Sequence, residues 1–239
     1  MYAKRMGLIM IENLSHAEQE YLKTTYLLDQ EKGHVTTRQL AERLKVKPAS
    51  VSAMVKHLSE EGEEAYVKHT PYQDIELTEK GRRIALELVR HQRLLELFLH
   101  TTLDMPWELV RAEAERLAPI ISEGLEERIA SKLGHPERDP HGDPIPSVQG
   151  TINNADDVPL TTLEAGMKAL VVRVPDDDPD LLRYLGTLGI VPGEWVRLDA
   201  RAPYGNILTL SIGERSYPLA EAVSERIYIS GVSKQPEKC

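Results

Sequence analysis

Residues 36–58, TTRQLAERLKVKPASVSAMVKHL, carry five cations, Arg38, Arg43, Lys45, Lys47 and Lys56, against the single carboxylate of Glu42. That local charge of +4 stands inside a chain of net charge −9. A cationic island on an acidic protein suits a polyanion, since binding is set by the local patch and not by the overall balance. Between and beside the lysines lie Pro48, Ala49, Ser50, Ser52 and Ala53, all small or hydroxylated. Small side chains let a helix lie close in a major groove, while hydroxyls and lysines reach phosphates and base edges. The chemistry implied is double-stranded DNA binding, with Arg38, Lys47, Pro48, Ala49, Ser50, Ser52, Ala53 and Lys56 as candidate contacts.

Such residues need two short helices to aim them. Thr36 or Thr37 can cap a helix over 38–44, because a threonine oxygen accepts an otherwise unpaired N–H. Leu40, Ala41 and Leu44 give that helix an apolar face. Val46-Lys47 is a tight connection, and Pro48 stands where a second helix begins, a place where its missing N–H costs little. Val51, Met54, Val55 and Leu58 then repeat at three- and four-residue spacing and face inward. Two short helices with a small, polar, basic outer face describe a helix-turn-helix. Tyr66–His69, Pro71-Tyr72 and Ile75–Leu77 read as a β-hairpin, the wing of a winged helix, which adds Tyr72 to the DNA-contact set.

At 239 residues, 41% hydrophobic and 28% charged, the chain is that of a globular protein with one large or two ordinary domains. Cys239 is the one cysteine, so no internal disulfide or cysteine-rich zinc site is expected. The start, MYAKRMGLIMIENLS, lacks a long apolar core and a cleavage site, and no run approaches membrane-spanning length. The expected location is the cytoplasm, with no membrane partner. H-E-x-x-H, G-x-S-x-G, P-loop and G-x-G-x-x-G motifs are absent, which argues against a hydrolase or another enzyme.

Before the helix-turn-helix, Ser15 and Glu18 have capping-box spacing at the head of a helix through Leu27. After the wing, a long helix runs over 82–103 with Ile84, Leu88, Leu94, Leu95, Phe98 and Leu99 apolar. Pro106 begins another, ended by Gly134 and expected to kink at Pro119, which lacks the N–H that the Glu115 carbonyl needs. Two apolar-rich helices behind a DNA-binding head imply pairing with a second copy, a homodimer. Residues 135–159 are rich in Pro, Gly, Asn and Asp and read as a boundary. Beyond it, β-rich runs at 169–174, 195–198, 207–212, 215–219 and 226–229, with one short helix near 180–185, suit a small SH3-type barrel. The fold class is therefore a mainly α winged helix-turn-helix with a helical dimerisation domain, followed by an all-β SH3-like domain. The expected boundaries are 1–80 for the DNA-binding domain, 81–140 for the dimerisation and metal-site domain, 141–158 for a linker and 159–232 for the SH3-like domain.

Several stretches carry a family likeness: E-x-x-Y-L-K-T-x-Y over 18–26, T-P-Y-x-x-I-x-L-T-x-x-G over 70–81, R-L-L-E-x-F-L over 93–99 and D-P-H-G-D-P-I-P over 139–146. With the C-terminal domain at 158–229, the chain resembles, over nearly its whole length, the diphtheria toxin repressor and manganese transport regulator family of metal-dependent transcriptional repressors. The resemblance implies a homodimer on a palindromic operator, with Mn2+ or Fe2+ favouring the DNA-binding form. It also implies a ligand set: Glu20 from the first helix, Gln92 at a histidine position, Glu96, Glu115, and Asp178 as the acid from the SH3-like domain.

The chain departs from that pattern in several places. Ala118 and Pro119 stand where the family has Glu and His, and neither has a ligand atom. His91 is displaced by one residue, about 100° round the helix, from the family's histidine. Arg111, a cation, falls on the family's second ancillary-site histidine. Two readings therefore stand: a Mn2+- or Fe2+-dependent regulator of metal homeostasis genes, and a regulator of the same fold that has lost its response to metal.

Overall fold

The structure is a computed structural model that describes residues 11, 14–60, 65–69, 74–153 and 157–234. It divides into two compact units, the first 1–91 with 118–121 and 146–151, the second 92–117 with 122–145 and 152–239. Tyr72, expected among the DNA contacts, lies outside the described residues.

In the first unit, α1 (His16–Lys32) starts on the expected capping box, with Ser15 and Glu18 each satisfying the other's backbone N–H. Thr36, not Thr37, caps α2 (Thr37–Leu44), forming a second capping box with Gln39. Lys45 ends α2 in the left-handed region (φ 55°), so the chain turns within two residues into α3 (Pro48–Ser59). Val51, Val55 and Leu58 of α3 are buried. The wing pairs β1 (Val67–His69) with β2 (Ile75–Leu77) antiparallel, Val67 opposite Leu77. The Ile75 N–H donates to the Val35 carbonyl at 2.8 Å, fixing the wing's return strand beside the helix-turn-helix. Helix α4 (Glu79–Leu103) follows, and its third residue must be small: a Cβ on Gly81 would lie 2.0 Å from the Tyr66 carbonyl oxygen.

The single helix expected after Pro106 is instead broken. It resolves into α5 (Val110–Leu117), a 3-10 turn at Ala118–Ile120 and α6 (Glu123–Lys132) capped by Ser122. Pro119 can give no N–H to the turn before it, and Ser122 offers a fresh start, so the chain breaks where a kink was expected. The break parts Ala118 and Pro119 from Glu115's helix.

The second unit ends in a six-stranded antiparallel sheet of order β3-β8-β4-β5-β6-β7. These are β3 (Val158–Pro159), β4 (Met167–Arg173), β5 (Trp195–Arg201), β6 (Ile207–Ile212), β7 (Arg215–Ala220) and β8 (Tyr228–Lys234). All five expected strands are present, with the short β3 added. Helix α7 (Pro179–Leu188) and the one-turn α8 (Glu221–Ser224) complete the layer. Leu182, Leu185, Val171, Val196, Leu198, Leu210 and Ile229 are among the buried core.

The turn at 139–143, where the expected linker opens, is held in place. Asp139 Oδ1 accepts from the backbone N–H groups of His141 (2.9 Å) and Asp143 (3.0 Å), winding a tight turn. Gly142 sits at φ 91°, and a Cβ there would meet the Val172 carbonyl oxygen at 1.8 Å. Val174 N–H donates to the His141 carbonyl, and Asp143 faces Arg173 at 3.4 Å. The D-P-H-G-D-P motif is thus a turn docked on the end of β4, its glycine required by both φ and space.

Gly81→Ala should destabilise the protein by about 2 kcal/mol or more, because backbone must shift to admit the methyl group. Gly124→Ala, in α6 with only Ser122 Oγ at 3.9 Å, should instead gain up to about 1 kcal/mol. Urea unfolding of both variants checks the contrast; equal effects would mean that the Gly81 contact does not constrain the fold.

Candidate DNA-reading face and metal centre

Helix α3 presents Lys47, Pro48, Ala49, Ser50, Ser52, Ala53 and Lys56 to solvent on one side. The opposite side is sealed by Val51, Val55 and Leu58, so α3 cannot roll without exposing its core. Arg38 is also exposed, bonded to Glu42 at 2.8 Å, and Lys56 approaches Glu60 at 3.6 Å. Ser52 spends its hydroxyl on the Pro48 carbonyl at 3.2 Å, whereas Ser50 lies at the open first turn. At the far end His57 Nε2 meets Glu18 Oε1 at 2.9 Å, tying α3 to α1. Burial opposes ionisation of Glu18, but hydrogen bonds from Ser15 and contact with His57 outweigh it, and its carboxyl titrates below the usual value. The arrangement is a rigid, cation-edged helix with its N-terminal half free to meet a groove.

Each expected metal ligand has a contact of its own. Glu20 Oε1 is held by Lys23 at 2.8 Å. Glu115, nearly half exposed, accepts from Arg111 Nε at 3.2 Å. Gln92 gives its amide N–H to Glu96 Oε1 at 2.8 Å. His91 has turned away, as its one-residue displacement requires: its Nδ1 meets the Ala118 carbonyl at 3.3 Å and its Nε2 lies 3.6 Å from Glu87. Asp178 does not take the ligand place expected of it, because its carboxylate caps α7 through the N–H groups of Asp180 and Leu181. The acid that points inward is Asp176.

Glu96, His141 and Asp176 offer one ligand atom each, all within 4.8 Å of one another. Glu96 is 1% exposed and the His141 side chain 0%. Glu96 Oε2 and His141 Nδ1 face each other at 3.7 Å, and neither has a hydrogen-bond partner. The other ring nitrogen settles the tautomer: Nε2 lies 2.8 Å from the Trp107 carbonyl, an acceptor, so Nε2 carries hydrogen. Nδ1 must then present either a second proton or a lone pair toward the Glu96 carboxylate. A bare lone pair against a buried carboxylate is repulsive, so a cation belongs between them, a proton or a metal ion. An imidazole that donates its far N–H to a backbone carbonyl is the arrangement in which histidine ligates metal.

Four carboxylates, Glu96, Asp139, Asp143 and Asp176, gather here with Arg93, Arg111 and Arg173. Arg93 lies 3.3 Å from Asp143 and 3.8 Å from Asp139, and Arg111 Nη1 is paired with Asp176. Burial works against a charged His141 ring, but Glu96, Asp139 and Asp176 outweigh it and push the ring up to about 9. Burial likewise opposes ionised Glu96, yet His141, Gln92 and Arg111 hold its carboxyl below the usual value. With no metal, the proton is the cation between them.

His141 and Asp176 were absent from the ligand set expected from the sequence. His141 lies in a turn whose composition reads as a boundary, and Asp176 in an Asp-Asp-Asp run where only the backbone path decides which carboxylate points in. Asp176 and Asp178 are two residues apart, and the N-cap geometry of α7 assigns Asp178 outward.

Comparison with known proteins identifies the segments of the chain. The domain described as iron dependent repressor, N-terminal DNA binding domain, matches residues 13–75. The iron dependent repressor, metal binding and dimerisation domain matches 78–147, and the FeoA domain matches 158–231. The iron-dependent repressor IdeR of Mycobacterium leprae (strain TN) is 31% identical over 234 residues, 93% of this chain and 100% of its own. IdeR of Mycobacterium tuberculosis (strain ATCC 25618 / H37Rv) is 33% identical over 224 residues, 89% of this chain and 96% of its own. A solved structure, a manganese-dependent transcriptional repressor in complex with manganese, superimposes with a TM-score of 0.80 at 35% identity, covering 89% of this chain and 98% of that one. A DNA-binding domain, a metal-binding and dimerisation domain and a FeoA domain follow one another along the sequence, two such relatives match it over about nine-tenths of its length, and the chain belongs to the iron-dependent repressor family of metal-dependent transcriptional regulators.

Proposed function

We propose that the protein is a cytoplasmic homodimer that reads an inverted-repeat DNA operator through α3 and represses metal homeostasis genes in answer to Mn2+ or Fe2+. The observation that carries the DNA part is the exposed Lys47–Lys56 face of α3, small and hydroxylated between its lysines, on a helix locked by Val51, Val55 and Leu58. Two copies of one head on a two-fold axis read dyad-related half-sites. Leu103, Leu109 and Leu125 stay exposed within the segment matched by the dimerisation domain, apolar surface that a second copy would cover.

The metal part rests on the orphaned pair. Glu96, His141 and Asp176 would hold the ion, with two carboxylates and one imidazole, an oxygen-rich set suited to Mn2+ or Fe2+. A bound ion supplies two positive charges to carboxylates that are otherwise balanced by protein cations. Glu20, Gln92 and Glu115 are engaged with Lys23, Glu96 and Arg111, and positions 118 and 119 offer no ligand atom. The turn at 138–145 would thus bring to Glu96 the imidazole that Gln92, at the family's histidine position, does not supply.

Lys47→Ala should weaken binding on every sequence and reduce the slope of log affinity against log salt by about 1, the signature of one lost phosphate contact. Ser50→Ala should leave that slope unchanged and alter preference at one base position. Fluorescence anisotropy with operator and random duplexes, over a salt series, separates the two; an unchanged Lys47→Ala slope removes α3 as the reading helix. In the same assay Mn2+ should raise operator affinity, and a Glu96→Gln, His141→Phe variant should keep basal binding but lose that increment. An increment that survives the double change would place the effector elsewhere. Equal binding with Mn2+ and with a chelator would favour the metal-uncoupled reading.

A further inference from the structure

Arg111 stands on α5 with its side chain turned into the acidic cluster, about a fifth exposed. Nη1 is paired with Asp176 Oδ2, while Nε bonds Glu115 Oε1, one helical turn along, at 3.2 Å. The same guanidinium therefore bridges a partly buried carboxylate and a half-exposed one. Asp176 is one of the three groups that converge on the gap between Glu96 and His141. Its Oδ2 is committed to the guanidinium, so while Arg111 stays an incoming ion meets only Oδ1 of a carboxylate whose charge is already shared.

Arg93, Arg111 and Arg173 already stand among the carboxylates around this gap: Arg93 beside Asp139 and Asp143, Arg173 beside Asp143, and Arg111 on Asp176. A divalent ion added with Arg111 in place would share the Asp176 carboxylate with a guanidinium and be repelled by it. An ion that enters as Arg111 leaves has no such obstacle, and Glu115 already marks where the guanidinium can go.

We infer that Arg111 is a built-in competitor for the divalent cation, a guanidinium that occupies Asp176 when metal is scarce and must swing to Glu115 and solvent before the ion binds. The inference rests on the Glu96–His141–Asp176 reading above and adds to it the residue that sets its threshold. Arg111 makes this a low-affinity site, filled only when the free ion is abundant. Glu115 is then a resting place for the displaced arginine and not a ligand.

Titration calorimetry with MnCl2 on the full-length protein tests this. Arg111→Met, which keeps most of the aliphatic stem, should bind Mn2+ at least tenfold more tightly than the parent. Arg111→Gln, a second neutral change, guards against a folding defect in the first, and Arg111→Lys should stay near the parent. Glu115→Gln should weaken binding severalfold, since it removes the resting place, whereas a ligand's loss would nearly abolish it. If both neutral variants bind no more tightly than the parent while Glu96→Gln and His141→Phe abolish binding, the site stands and the competitor is refuted. If His141→Phe in the Arg111→Met background binds as tightly as Arg111→Met alone, or if no variant binds Mn2+, the site reading itself falls and takes the competitor with it.

Discussion

A carboxylate with 1% exposure on α4 has to be compensated, and a neighbouring helix residue, a turn and nearby arginines supply the compensation for Glu96. Burying an ionised carboxylate unpaired costs several kcal/mol, far more than a surface pair returns. Glu96 meets this with a neutral donor, Gln92, on its own helix and a ring, His141, delivered by a turn some forty-five residues further along the chain. The turn exists to make that delivery. Asp139 winds it, Gly142 lets it press against β4, and the Trp107 carbonyl holds the ring's far side.

The same compensation joins the helical part to the β domain within the second unit. Arg111 on α5 reaches Asp176 after β4, Arg93 on α4 reaches Asp143 in the turn, and Arg173 on β4 reaches the same Asp143. Removal of one partner from such a network leaves the others buried and uncompensated, so these residues act together and not as separable pairs. An ion that replaces one member would therefore be felt by α4, α5 and the end of β4 at once. By contrast the DNA-reading head relies on local devices: two capping boxes, a left-handed Lys45, a proline at the first turn of α3 and a glycine under Tyr66.

That contrast explains what could be read from the sequence. Capping and periodicity are short-range, so Ser15–Glu18, the α2–α3 turn and the starting point at Pro48 were legible with their boundaries nearly correct, and so were the five principal strands. The charge network is long-range. No spacing rule couples Glu96 to His141, or tells Asp176 from Asp178, because both depend on how a turn and a strand end are seated. The kink expected at Pro119 became a break because Ser122 caps a new helix three residues later, a competing local signal that the apolar pattern concealed. Family motifs marked Arg111 as a cation at a cation's position; only the structure pairs it with both Asp176 and Glu115.

If the proposed site is right, one cation or another always fills the space among Glu96, His141 and Asp176. Crystals of the full-length protein grown with excess MnCl2, with anomalous data collected at the manganese edge, test it most directly. The expected map has a manganese peak in contact with Glu96, His141 Nδ1 and Asp176, and Arg111 turned out to Glu115. A peak elsewhere, with Arg111 still on Asp176 and this gap unchanged, would contradict the account.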